Sequence, residues 1–155
     1  MKTAYLLSLV IAVSMASPLL AADKLPTAEQ RFGGEIEESE SPSFRRHVVP
    51  LASKLGCSGR ECHGSFQGRG DFPLSLFGYD FGKDHKAITA DKEHRIRVNI
   101  DEPGKSLFLQ KPMKQVKHKG GEIYEEGSWE HNVMLKWIQE GAKPVSYTHL
   151  RAHET

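Results

Sequence analysis

The chain has 155 residues, with 21 Lys and Arg against 20 Asp and Glu, a net charge of +1 with histidines neutral, and only two cysteines. That near balance excludes the basic excess expected of a nucleic-acid-binding protein. The length bounds the chain to one small domain plus a leader.

Met1-Lys2 is followed by a ten-residue apolar run, AYLLSLVIAV at 4–13, and then by small and polar residues ending in Ala21-Ala22. The run is too short to span a bilayer and reads as a secretory signal over 1–22. It predicts a periplasmic or extracellular protein, soluble once the signal is removed. The segment 23–42 carries six acidic and two basic residues between Asp23 and Glu40, with little apolar content, and is predicted as a solvated linker. The domain proper is placed at 43–144.

Within 41–56 (SPSFRRHVVPLASKLG), Phe44, Val48, Leu51 and Leu55 fall on one helical face, with Gly56 as the stop. Pro50 predicts a kink or two short pieces. The next segment, Cys57-Ser58-Gly59-Arg60-Glu61-Cys62-His63-Gly64, carries the chemistry. Two thiols closing on an adjacent histidine is the arrangement that fixes haem: each sulfur adds to a vinyl group and the imidazole ligates iron. Four residues separate these cysteines where two are usual, so the loop must bulge, and Gly56 and Gly59 are predicted to permit it. Two other readings stay open on the motif alone. The pair is also compatible with a Cys57–Cys62 disulfide in an oxidising compartment, or with a zinc site completed by His63 and another donor.

The stretch 65–84 (SFQGRGDFPLSLFGYDFGKD) is predicted as a turn, a short extended piece and a loop, because four glycines and a proline oppose a long helix. Its Phe72, Leu74, Phe77 and Tyr79 are candidate apolar wall. His85 and His94 are assigned to polar loops. Arg95 to Ile100 alternates charged and apolar residues and is predicted extended, with Arg95 or Arg97 as candidate partner of a carboxylate. Residues 103–111 are predicted as a short helix or turn burying Leu107, Phe108 or Leu109. The stretch 105–119 carries five lysines and no acid, a candidate docking surface for an acidic redox partner protein. The last element, 128–141, has Ser128 as N-cap, an apolar side of Trp129, Val133, Trp137 and Ile138, Met134 beside it as core, and Gly141 as stop. The tail VSYTHLRAHET at 145–155 resembles the translation of a sequencing adapter and is set aside, with His149 and His153, so that the natural chain is expected to continue past 144 as the N-terminal part of a larger protein.

An iron held by His63 has a second face. The loop 111–121 (KPMKQVKHKGG) is the place for a distal ligand, with His118 and Met113 as the two candidates. No His-Glu-x-x-His or Gly-x-Ser-x-Gly is present, and the chain is not predicted to be an enzyme.

With these pieces in place the chain resembles the planctomycete-type cytochrome c domain, over FRRHVVPLASKLGCSGRECHG (44–64), DFPLSLFGYD (71–80), RVNIDEPGKSLFLQKP (97–112), HKGG (118–121) and WIQEGA (137–142). The resemblance implies a mainly α, small cytochrome-c-like domain with N- and C-terminal helices packed together and long glycine-rich loops. It implies covalent haem c tethered by Cys57 and Cys62 with its iron on His63, and one-electron transfer as the function. By loop position, His118 stands where related domains carry methionine, which implies bis-histidine ligation. The alternative is a non-redox exported interaction module with the Cys57–Cys62 disulfide or a zinc site.

Overall fold

The computed structural model describes residues 25–36, 38–90 and 97–144. The expected signal, the tail at 145–155, His94 and Arg95 lie outside them. The described residues are mainly helical, with no strand among them. Five α-helices follow in order: α1 (Ala28–Phe32), α2 (Val49–Lys54), α3 (Phe81–Thr89), α4 (Leu107–Gln110) and α5 (Trp129–Gln139). No helix among the described residues is long and apolar enough to cross a membrane.

The helix expected over 41–56 forms as two pieces. A π-helical turn at Phe44–Val48 runs directly into α2, which has Pro50 in its first turn. Proline has no N–H to donate, and its ring crowds the carbonyl four residues back; the wider π turn relieves that crowding. Gly56, at φ +82°, ends the helix as predicted.

α5 is the organising element. Ser128 caps it by accepting from the His131 N–H, and Val133, Met134, Trp137 and Ile138 are buried. Trp137 stacks on Phe44, with ring centroids 5.2 Å apart and planes at 29°, so the first and last long segments meet through aromatic area. Trp129 remains only partly buried.

The structure corrects the linker at its centre. Thr27 and Gln30 form a capping box at the start of α1, and Phe32 is 1 % exposed. α5 holds the segment from below: Asn132 Nδ2 donates to the carbonyls of Phe32 (2.9 Å) and Gly34 (3.4 Å), and Lys136 Nζ to those of Ile36 (2.7 Å) and Ser39. One phenylalanine among acids is enough to dock a short arm when its carbonyls find donors.

The glycine-rich stretch ends in a helix, not a loop. Asp80 caps α3, which places His85 on that helix, where its Nε2–H donates to the Ala142 carbonyl at 2.7 Å. The buried Asp84 carboxylate accepts from the Ser75 N–H (2.6 Å) and hydroxyl (2.7 Å), pinning the preceding loop. Residues 97–100 form bends and not a strand. α4 forms where expected, with Leu109 fully buried.

Candidate functional site

The Cys57–Gly64 loop closes on itself by backbone hydrogen bonds. Cys57 N–H closes the C-terminus of α2 by donating to Ala52 O (2.9 Å), and the His63 N–H returns to Cys57 O (3.0 Å). Between them, Cys62 N–H and Gly64 N–H both donate to Gly59 O, at 3.0 and 2.9 Å. The four intervening residues thus leave as a compact bulge, while the ends of the motif are brought back together. Gly64 is what makes this possible: a Cβ there would lie 2.0 Å from Ser58 O. Gly59, singled out from the sequence, contributes through its carbonyl and has no positive φ.

Cys57, Cys62 and His63 line one cavity of about 580 Å³, and His118 lines the same cavity. That size lies inside the roughly 300–1,000 Å³ range of small-molecule and cofactor pockets. Its walls include Leu55, Phe72, Leu107, Phe108, Val116 and Ile123. Five cations lie on its lining, Arg69, Arg97, Lys111, Lys117 and Lys119, and no Asp or Glu does. An apolar chamber with a cationic border suits a largely apolar molecule bearing acidic groups.

The two imidazoles are prepared differently. His118 Nδ1–H donates to the Gly121 carbonyl at 2.8 Å, which leaves the Nε2 lone pair free for a ligand. Its ring lies over Gly120, where a Cβ would sit 2.8 Å from Cε1 and 3.2 Å from Nε2. His63 Nδ1 is buried and makes no hydrogen bond. Its ring rests against Phe72, centroids 4.7 Å apart. Burial pushes the His63 pKa below its ordinary value; the nearby backbone of Arg69 and Phe72 opposes this, and the charge of His118 adds to the depression. The neutral, ligating form of His63 is therefore the favoured one.

Cys57 and Cys62 are free thiols. Burial, followed by the neighbouring Cys62, raises the Cys57 pKa to about 11, with its own backbone hydrogen bond pulling the other way. Tyr124, which the sequence reading did not single out, is buried with its hydroxyl unpartnered, and burial followed by the Cys57 charge raises its pKa. An isolated tyrosine in a polar stretch gives no periodic signal to find it by.

The other described histidines are structural. His47 Nδ1 accepts from the Ser43 N–H (2.9 Å), and His131 Nδ1 from that of Gly127 (3.2 Å). His85 packs edge-on to Phe44. Met113 packs against the core and does not line the cavity. Arg97 is buried, its guanidinium hydrogen-bonded to the carbonyls of Asp71, Ala87 and Ala90. Among the described residues no group of three or more His, Cys, Asp or Glu is arranged to hold a metal by itself. Comparison with family models, with curated proteins and with solved structures found no match.

Proposed function

We propose that the chain is an exported mono-haem c-type cytochrome domain of cytochrome-c-like fold that transfers single electrons. One observation carries the reading: of the five histidines in the described residues, the two that line the cavity are His63, beside both cysteines, and His118. An apolar chamber holding two thiols and two imidazoles fits a covalently attached haem better than it fits any small polar ligand.

In this reading Cys57 and Cys62 would tether the group and His63 and His118 would ligate its iron. Bound haem supplies one-electron chemistry at iron. The protein's part is to keep water out with Leu55, Phe72, Phe108 and their neighbours, and to hold both ring nitrogens in fixed positions so that little moves when charge changes. Arg69, exposed on the cavity lining, is better placed for a haem carboxylate than Arg97, whose fork is committed to backbone carbonyls. The lysines also sort themselves. Lys105 pairs with Glu102, whereas Lys111, Lys117 and Lys119 border the cavity and are the candidates for steering an acidic redox partner.

The reading is tested at His118. In protein matured by a c-type attachment system, His118→Ala is expected to change the ferric optical spectrum and leave the thioether attachment intact. An unaltered spectrum removes His118 as a ligand.

A further inference from the structure

A metal-binding histidine ordinarily has its second ring nitrogen hydrogen-bonded, which fixes the orientation of the ring. His63 lacks this: Nδ1 is buried and unpartnered. The ring is held instead by its packing, with the backbone of Arg69 and Phe72 nearby. Among the described residues its ring meets that of Phe72, at 4.7 Å between centroids and 56° between planes.

Phe72 is itself pinned from its other neighbour. The Arg97 guanidinium lies 4.9 Å from the Phe72 ring centroid. That guanidinium is fixed by three carbonyls from two parts of the chain: Asp71 O at 2.9 Å, Ala87 O at 3.3 Å and Ala90 O at 3.4 Å. The Asp71 contact matters most, because Asp71 is the residue before Phe72 and adopts a left-handed backbone at φ +55°. Aspartate tolerates that backbone better than most non-glycine residues, at a modest cost, and the Arg97 contact to its carbonyl helps to hold it. Gly68, where a Cβ would meet Phe72 O at 2.3 Å, allows the loop to pass close enough for the arrangement to close.

We infer that Arg97 is a positioning residue for the His63 imidazole and acts through the ring of Phe72. Only a planar fork can take several carbonyls and present a face to an aromatic ring at once, so lysine is no substitute here. The functional weight of this inference rests on the haem reading; the Arg97–Phe72–His63 relay does not.

Its test is therefore made on the full chain both before and after haem attachment. In the unloaded, reduced protein, the cross-relaxation peaks between the Phe72 and His63 rings are read by NMR, with the Phe44–Trp137 ring peaks as the fold control. Arg97→Lys is expected to abolish or broaden the Phe72–His63 peaks and leave the control unchanged. Retained Phe72–His63 peaks overturn the inference, and so does loss of the control peaks, which would make Arg97 merely structural. In the loaded protein, Arg97→Lys and Phe72→Leu should each shift the ferric electron-paramagnetic g-values. The double variant should shift them no further than Phe72→Leu alone; additive shifts contradict the relay. Failure of the chain to take haem would remove the functional reading and leave the NMR outcome to decide the relay.

Discussion

At the scale of single residues, the site depends on close approaches that side-chain chemistry alone does not reveal. Gly120 has no positive φ, so replacing it tests space and little else. Gly120→Ala is expected to push the His118 ring off its position, reproducing in weaker form the spectral change of His118→Ala. A Gly120→Ala protein with the parent spectrum would show that the ring position is not set there. The Cys57 thiol offers a second test. With its pKa at about 11, only about one thiol in a thousand is ionised at pH 8. Its alkylation rate in the unloaded protein should keep rising with pH up to about 11, and a plateau near pH 9 would contradict the buried placement. The Cys/His motif itself was legible, because thiols beside a histidine are rare and chemically specific. Gly64 was not, since its necessity arises from Ser58 O folding back on it.

At the scale of elements, capping and burial explain most of what forms. Ser128 and the periodic side of α5 were readable, because N-cap chemistry and 3.6-residue spacing are local properties. α3 was missed: glycines at 78 and 82 outweighed an Asp80 cap whose effect appears only once Asp84 is seen gripping Ser75. The docking of α1 was likewise invisible, since it depends on Asn132 and Lys136 a hundred residues away. Two stability measurements follow. Ser128→Ala should cost about 1 kcal/mol in chemical denaturation. Trp137→Ala should cost about 3–5 kcal/mol, because a fully buried indole stacked on Phe44 leaves a cavity that the helices cannot fill. A loss below about 1 kcal/mol for Trp137→Ala would mean that α5 is not the centre of the core.

For the molecule as a whole, two histidines favoured neutral in the folded state make the unloaded protein less stable in acid. Burial lowers the pKa of His131, with the Asn132 side chain and the Glu126 charge opposing, and burial lowers that of His63 too. Above the unfolded value of about 6.5 both states are neutral and neither group affects stability. As pH falls below about 6.5 the unfolded chain takes up protons that the folded chain does not, so stability falls with pH. His131→Gln should flatten that decline in denaturation midpoints between about pH 7 and 5; an unchanged slope would place the sensitivity elsewhere. Charge at the cavity mouth belongs to the same scale. Lys117→Glu combined with Lys119→Glu should slow reduction by an acidic partner at low salt and lose that effect at high salt.

The central claim concerns what Cys57 and Cys62 are bonded to, and intact mass with an optical spectrum tests it most directly. After coexpression with a c-type maturation system, the chain should gain the mass of one haem and keep its red colour through denaturation and acid-acetone extraction. A colourless chain of unmodified mass, or one lighter by two hydrogens, would contradict the account.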